Sequence, residues 1–324
     1  MELALRQLLV RRRQEAVAID TRLGALIDEL GAAVAAGGKR IRPQLLAWGY
    51  RAGARELDQG IVQAGVALEL MHTFALIQDD VIDRSSTRRG RPASHVMLAA
   101  AAELEPERFG ASAAILLADL ALIWADRALA CAGFAPERLG RGLEVYDQLR
   151  TEVTLGQYLD VLAAHSRHVS EAEALTVNHY KTASYTVQRP IQLGLALAGA
   201  APATIDQVPA YAIPAGIAFQ LRDDVLGAFG DPVETGKPSG QDLLERKPTW
   251  LRARLLSRCP DAATETEVER LRQLMVESGA LADAEAQVRT LAAQALTAAR
   301  LLPVSEALRD ELVALTERLI WRRT

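Results

Sequence analysis

The sequence has little that would support a disulfide scaffold, a β-rich fold or a general nucleic-acid-binding surface. It contains 2 cysteines in 324 residues, Cys131 and Cys259, whose spacing fits no metal site. Aromatic residues make up 5% of the chain, and β-branched runs bounded by turn residues are scarce, which disfavours strands. The formal net charge of −4 argues against nucleic acid as a partner, because phosphate-backbone affinity needs a basic surface.

The sequence also lacks signals for targeting, membrane insertion and several common catalytic centres. There is no charged start followed by an apolar signal core, and no uncharged run of about 18 residues. The 5 histidines form no zinc pattern, and no Ser-His-Asp or Cys-His grouping stands out. We therefore expect a soluble, cytoplasmic protein without a transmembrane segment.

What is present is alanine, leucine and a high hydrophobic content of 50%. Such a composition favours helix throughout and can bury a large core. Nothing in the composition marks a linker, so we predict an all-α protein with a single domain over residues 1–324.

The stretch of residues 68–92 begins as an apolar helical run, which leads directly into an acidic and then a basic cluster. The charged residues are Asp79, Asp80, Asp83, Arg88, Arg89 and Arg91. At about 100° per residue, Asp79 and Asp83 lie one turn apart on one helix face, with Ala75 one turn below Asp79. Magnesium usually takes one or two protein carboxylates and completes its shell with water and substrate phosphates, which the three arginines would also meet.

A second apolar run ends in another acid pair, Asp223 and Asp224. One such pair alone is as often a solvated helix end as a metal site. Two hydrophobic helices that each end in paired aspartates are harder to explain as solvated surface. The repetition favours a metal site.

Cations interrupt the hydrophobic pattern in several further segments. GGKRIRP, residues 37–43, places three cations within four residues at a helix start. A solvated charge run is the default interpretation, although glycines followed by cations at a helix start also describe an anion site. Lys181 interrupts an apolar helix, where a snorkelling surface side chain is the commoner explanation. Lys237 and Lys247 belong to a segment rich in glycine and proline.

Three structural expectations follow from the pattern elsewhere in the chain. Residues 109–129 are apolar nearly all round, which predicts a central helix in which Asp119 is buried and paired. Gly156 in the helix predicted over 141–164 would allow close helix contact. The polar cluster before Pro190 predicts a local kink.

Acids for metals, cations for phosphates and an apolar interior together indicate a substrate with a diphosphate head and a hydrocarbon tail. Metals and cations can stabilise a departing diphosphate while a carbocation develops in a site closed to water.

Five motifs in this order carry a resemblance to a known family: GGKRIRP, DDVIDRSSTRRG, GQYLD, KTASYT, and FQLRDDVLG followed by GKPSGQDL. The sequence resembles the trans-type isoprenyl diphosphate synthases, or polyprenyl synthetase family, and most of all a geranylgeranyl diphosphate synthase. The resemblance spans Gly37 to Thr249. It implies a homodimeric helical bundle around a central hydrophobic cavity, which uses Mg²⁺ to condense isopentenyl diphosphate with dimethylallyl, geranyl or farnesyl diphosphate.

The resemblance also implies roles for individual residues. The implied metal ligands are Asp79, Asp80, Asp83, Asp223 and Asp224, and the catalytic residues are Asp79, Asp83, Lys181 and Asp223. Contacts to isopentenyl diphosphate are implied for Lys39, Arg42, His72 and Arg89. Contacts to the allylic substrate are implied for Arg88, Lys181, Thr182, Gln220, Lys237 and Lys247. Phe74 and Ala75 match positions that set chain length, and their pattern implies a C20 product, with C15 as the alternative.

Two departures from the family pattern keep other functions open. Gly227 stands where the second acidic motif usually ends in aspartate, and Arg246 stands where a glycine usually precedes Lys247. A catalytically silent partner subunit is suggested by Gly227 and disfavoured by the intact first motif. A class I terpene cyclase is disfavoured by GGKRIRP, since a cyclase consumes one diphosphate and needs no second anion site.

Overall fold

The structure is a computed structural model that describes residues 1–53, 55–166, 168–230 and 240–321. Contacts divide these residues into two compact units. Unit 1 comprises Met1–Ala47 and Glu56–Leu143, and unit 2 comprises Trp48–Arg55 and Glu144–Thr324.

Helices account for nearly all the regular structure in the described residues. In the first part of the chain they are α1 (Glu2–Ile19), α2 (Leu23–Ala35), α3 (Ile41–Ala52), α4 (Gln59–Ile82), α5 (Ser94–Ala99), α6 (Pro106–Ala130) and α7 (Pro136–Ala164). They are followed by α8 (Glu171–Val177), a π-helical segment (Asn178–Gln188), α9 (Arg189–Ala198), α10 (Pro202–Ile205) and α11 (Val208–Phe229). The helices from residue 240 onward are α12 (Gln241–Leu244), α13 (Trp250–Arg258), a 3₁₀ turn (Pro260–Thr264), α14 (Val268–Glu277), α15 (Ala280–Leu301) and α16 (Glu306–Ile320).

Strands in the described residues form one antiparallel hairpin, β1 (Thr87–Arg88) and β2 (Arg91–Pro92). The all-α prediction is therefore confirmed. The predictions of a single domain and of a central cavity concern both units together and stay predictions.

The core of unit 1 is the contact between α4 and α6. Asp58 is the N-cap residue of α4, and its carboxylate accepts a hydrogen bond from the Ile61 amide at 3.0 Å. Its buried residues include Ala64, Ala67 and Leu68, and α6 is rich in buried alanine. Small side chains let the two helices approach closely, which fixes the position of the acidic end of α4.

Helix α6 is not the fully buried central helix that its composition predicted. Phe109, Leu116 and Ile123 are 44%, 62% and 58% exposed, and Asp119 is exposed rather than buried and paired. Apolar residues all round a helix indicate that two faces are covered, but they do not show whether this chain or another supplies the cover.

Two helices, α4 and α6, are long and apolar enough to cross a membrane by length and composition alone. The structure buries 67% of the relevant window in α4 and 39% of that in α6. Burial of the α4 window is typical of the core helix of a soluble protein, whereas most of the α6 window is not buried. The expectation that the chain has no transmembrane segment stays a prediction.

The core of unit 2 is organised around α11, which packs against both the π segment and α15. Buried residues recur every three or four positions along α15: Ala280, Ala284, Val288, Ala292, Ala295 and Ala299. This spacing produces one apolar stripe, and five of its six members are alanine, so the backbones of α11 and α15 can lie close together. Helix α11 carries the second acid pair.

Candidate functional site

The first acid pair lies at the end of α4, as the sequence predicted. Asp83 is the exposed C-cap residue, and its amide donates a 2.8 Å hydrogen bond to the Asp79 carbonyl. This bond continues the helical spacing, so the two residues are one turn apart. Asp79 is partly buried, with a side chain that is 18% exposed.

Asp80, the middle residue of the motif, is buried and binds an arginine. The Arg88 Nε donates to Asp80 Oδ1 at 2.8 Å, and Arg88 Nη2 donates to Asp79 Oδ2 at 3.1 Å. Burial opposes the charge on Arg88, yet the Asp80 carboxylate holds the pKa of Arg88 above its ordinary value. Arg88 is thereby fixed as a cation beside the acid pair.

The donor set suits a divalent cation that takes further ligands from a substrate. Among the described residues, no group of three or more His, Cys, Asp or Glu side chains could hold a metal by itself. Asp79 and Asp83 offer two hard oxygen donors, which is the number that magnesium commonly takes from a protein. The pair therefore fits a metal that also binds phosphate oxygens.

Arg88 is carried by the tight hairpin of β1 and β2. The two turn residues, Arg89 and Gly90, have φ values of 52° and 74°, the left-handed combination of a type I′ turn. The sequence suggested that Arg91 would meet phosphates, and the structure shows it engaged within the protein. Its Nη2 donates to Oε2 of buried Glu29 at 2.6 Å, which ties the hairpin to α2.

The GGKRIRP loop lies against the same hairpin. The Arg89 Nη1 donates to the Gly37 carbonyl, and its guanidinium covers Gly38. Gly38 has a φ of 137°, a backbone conformation that other residues rarely adopt, so glycine is favoured at this position. Lys39 is exposed and Arg42 is half-buried.

His72, two turns before Asp79 on α4, lies within this group of cations. Desolvation lowers the pKa of His72 well below its ordinary value, and the nearby positive charges lower it further. The contributing residues are Arg42, Arg89, Arg88 and Arg40. The structure thus brings the predicted residues Arg42, His72 and Arg89 together around a neutral imidazole, an environment that favours a bound anion.

In unit 2, the π segment presents Lys181 and Thr182. Lys181 Nζ lies 2.6 Å from Asp160 Oδ2 of the GQYLD motif. The Thr182 hydroxyl donates to Gln220 Oε1 at 2.8 Å, and Gln220 Nε2 donates to Oδ1 of buried Asp224 at 2.8 Å. Three predicted site residues therefore form one hydrogen-bonded chain from the π segment to α11, where the neighbouring Asp223 is half-buried.

Two glycines hold the π segment between α7 and α11. A Cβ atom at Gly156 would lie 2.5 Å from the Lys181 backbone nitrogen, and one at Gly216 would lie 2.3 Å from Ala183 Cα. The predicted close contact at Gly156 is confirmed. The predicted kink before Pro190 takes the form of a π helix, in which each turn is wider than an α-helical turn.

Lys247 follows a residue with the backbone conformation that glycine favours. Arg246 has a φ of 52°, so the turn before Lys247 is left-handed although the usual glycine is missing. Lys247 Nζ lies 3.5 Å from Glu245 Oε2.

Gly227 accepts a backbone hydrogen bond from Gly240 at 3.2 Å. Lys237 lies outside the described residues.

Substitution Arg246→Gly is expected to stabilise the protein by up to about 1 kcal/mol. The left-handed conformation destabilises a residue other than glycine by about 1–2 kcal/mol. Glycine loses more chain entropy on folding, which costs about 0.5–1 kcal/mol. Thermal unfolding should show a rise of about 1–4 °C in the midpoint. The control Arg22→Gly, where φ is −64°, should lower it, and the same sign for both variants would contradict the argument.

Sequence reasoning missed two ion pairs that support these groups. Arg40 pairs with Glu69, and Asp160 pairs with Lys181. The sequence did indicate that Glu69 needs a cationic partner, because it is a lone acid within the apolar run of α4. Its partner could not be read from spacing.

Comparisons with known proteins identify the family to which the chain belongs. The polyprenyl synthetase family model matches residues 25–288. Geranylfarnesyl diphosphate synthase of Aeropyrum pernix is 31% identical over 295 residues, covering 87% of this chain and 89% of that protein. Geranylgeranyl diphosphate synthase of Methanosarcina mazei is 35% identical over 218 residues, covering 67% of this chain and 63% of that protein.

Among solved structures, a geranylgeranyl pyrophosphate synthase from Corynebacterium glutamicum in complex with isoprenyl diphosphate and magnesium has a TM-score of 0.93. It is 36% identical, and the match covers 99% of this chain and 96% of that one. The family predicted from the five motifs is confirmed. The chain is a prenyltransferase of the polyprenyl synthetase family, whose members elongate prenyl chains.

Proposed function

We propose that this chain is a magnesium-dependent synthase that condenses isopentenyl diphosphate with an allylic diphosphate and releases geranylgeranyl diphosphate, C20. The observation that carries the proposal is the arrangement along α4. A cation cluster surrounds His72, and the acid pair Asp79 and Asp83 follows two turns later on the same helix. An elongating enzyme needs an anion site for a second diphosphate in addition to a metal site.

Each substrate is assigned its own group of residues in this proposal. Isopentenyl diphosphate would bind to Lys39, Arg42, His72 and Arg89. The allylic diphosphate would bind to Arg88, Lys181, Thr182, Gln220, Lys237 and Lys247. The metal ligands would be Asp79, Asp83, Asp223 and Asp224. Asp80 was also predicted to bind the metal. Because its Oδ1 accepts a hydrogen bond from Arg88, a metal would have to compete with Arg88 for that oxygen.

The side chains of this protein would orient the leaving diphosphate. Magnesium, when bound, supplies positive charge that stabilises the departing diphosphate. Arg88 and Lys181 add fixed cations whose positions are held by Asp80 and Asp160. Preorganised charges of this kind need no reorganisation when the leaving group departs, which lowers the barrier to carbocation formation.

We further propose that the active form is a cytoplasmic homodimer whose interface includes the exposed face of α6. Phe109, Leu116 and Ile123 recur at helical spacing and expose apolar surface that a second copy could cover. Light scattering of the purified chain measures its mass in solution and therefore its oligomeric state. A mass equal to the 35.1 kDa monomer would contradict the dimer.

Radiolabelled isopentenyl diphosphate tests the function most directly. The purified chain is incubated with Mg²⁺ and, in separate reactions, dimethylallyl, geranyl or farnesyl diphosphate, and the dephosphorylated alcohols are sized by chromatography. Label in C20 alcohol supports the proposal. Label in no product would support a silent subunit, whereas a cyclic hydrocarbon from the allylic substrate alone would support a cyclase.

Product length should respond in opposite directions to two substitutions on α4. Ala75 lies one turn before Asp79, so Ala75→Phe is expected to shift the main product from C20 to C15, because the ring fills the space of the fourth isoprene unit. Phe74→Ala is expected to lengthen the product beyond C20. The same chromatography measures both results.

An unchanged product distribution in both variants would mean that another helix limits the chain. In that case the candidates are the residues of α6 between Ala113 and Leu117. Ala114 and Leu117 are fully buried within unit 1, whereas Ile115 and Leu116 are exposed, which leaves the first two as the positions to test.

A further inference from the structure

The arginine between Lys39 and Arg42, Arg40, donates hydrogen bonds to three other residues. The Arg40 Nη1 bonds to the Glu69 carboxylate, Nε donates to Glu2 Oε1 at 2.9 Å, and Nη2 donates to the Val34 carbonyl at 2.8 Å. All three guanidinium nitrogens are therefore engaged. These bonds use three of its five N–H groups and fix its orientation toward acceptors within the protein.

The partner carboxylate is deeply buried on α4. Glu69 is 2% exposed and lies one turn before His72. A buried carboxylate is strongly unfavourable without a cation, so its pairing with Arg40 resists separation. Glu69 also acts on the anion site itself. Desolvation and three neighbouring arginines lower the pKa of Arg89, and Glu69 is the charge that opposes them.

The ion pair also holds an unusual backbone. Arg40 has a φ of 48°, in the left-handed region that disfavours side chains other than glycine. Its carbonyl accepts a hydrogen bond from the Gln44 amide at 3.2 Å in the first turn of α3. The conformation of Arg40 therefore sets the direction in which the chain enters α3, and with it the positions of Lys39 and Arg42. Such conformations persist where surrounding contacts enforce them.

We propose that the Arg40–Glu69 pair is a positioning device that sets the affinity for isopentenyl diphosphate, and that Arg40 does not bind substrate. This inference rests on the proposed function, because it assigns the site beside Lys39 and Arg42 to that substrate. Arg40 acts through its neighbours. It fixes the loop so that their charges converge, and Glu69 limits the mutual repulsion of the cations while the site contains no anion.

Steady-state kinetics of Glu69→Gln and Arg40→Gln test the proposal. Each variant is expected to raise the KM for isopentenyl diphosphate about tenfold, in the range usual for groups that orient direct ligands. The kcat and the KM for the allylic substrate should stay within about twofold. In the double variant, the KM should rise no further than in the worse single variant, because the two residues act as one unit.

Two further variants separate positioning from general loss of structure. Arg40→Lys keeps the positive charge beside Glu69 but loses the several fixed N–H donors of the guanidinium group. It should therefore restore part of the affinity for isopentenyl diphosphate that is lost in Arg40→Gln. This comparison still tests the proposal if Glu69→Gln does not fold. Asp28→Asn breaks an exposed pair with Arg13, whose shortest N–O distance is 2.7 Å, and should leave both KM values unchanged.

A thermal-shift experiment distinguishes failure of this inference from failure of the proposed function. Inorganic diphosphate should raise the unfolding midpoint of the wild-type protein, and the rise should be smaller in Arg40→Gln at the same concentration. This result can be obtained even if no prenyl product forms. The inference is overturned if the KM values for both substrates rise equally, if neither changes, or if the double variant is additive.

Discussion

Asp83→Ala is expected to lower turnover by about two to three orders of magnitude, the range seen when one preorganised contact to a developing charge is lost. Asp83 is one of two carboxylates proposed to hold the metal at the end of α4, and one aspartate alone would hold a hard cation weakly. Its side chain is exposed, so its removal should leave the fold intact. The measurements are kcat at saturating substrates and far-ultraviolet circular dichroism.

A matched control for this result is Asp147→Ala, which removes another exposed aspartate on a helix. Asp147 pairs with Arg150 at 3.1 Å, and its side chain is 71% exposed. Its loss should leave turnover unchanged. If Asp83→Ala retains turnover within about threefold of the wild type, Asp83 does not hold an essential metal. Raising the Mg²⁺ concentration should recover part of the activity of Asp83→Ala and none of that of an unfolded protein.

Gly156→Ala is expected to cost at least about 3 kcal/mol of stability and to lower kcat/KM for the allylic substrate by about a hundredfold. The new methyl group would lie 2.5 Å from the Lys181 nitrogen and 2.8 Å from the Tyr180 carbonyl carbon, both backbone atoms that no rotamer change can move. Overpacking of this kind typically costs about 1–3 kcal/mol, and more where backbones must separate. The shift would displace Lys181, which is proposed to bind the leaving diphosphate.

Gly140→Ala on the same helix is the control. A Cβ atom at Gly140 meets no atom within 4 Å, so alanine there should stabilise α7 by up to about 1 kcal/mol through its higher helix propensity. The unfolding midpoint should therefore fall in Gly156→Ala and rise in Gly140→Ala, and kcat/KM for the allylic substrate should fall only in Gly156→Ala. Equal behaviour would show that the close approach of α7 to the π segment does not matter for activity.

Sequence reasoning succeeded where the signal was local. The spacing of Asp79 and Asp83 on an apolar helix required only the α-helical period, and the structure has them one turn apart. The contact at Gly156 could be predicted because glycine within a helix usually has a packing reason. The roles of these residues in catalysis stay predictions.

Sequence reasoning failed where the partner of a side chain is distant in the chain. Arg91 and Glu29 are separated by 62 residues, and no periodicity links them, so the expected phosphate contact of Arg91 could not be distinguished from an internal ion pair. The pattern before Pro190 indicated a break but not a π helix. The exposure of α6 was missed because hydrophobicity does not record which molecule covers a helix face.

Alanine at the main helix contacts makes this protein unequally tolerant of substitution. Where α4 packs against α6, and α11 against α15, many of the buried side chains are already single methyl groups, such as Ala64, Ala118 and Ala292. An alanine scan would therefore report nothing at these positions, however important they are. At these positions, random mutagenesis can only enlarge the side chain or remove its one methyl group. A larger side chain forces the two helix backbones apart and does not leave a cavity. Variants selected for altered products should accumulate in the walls of the substrate site and avoid these helix contacts.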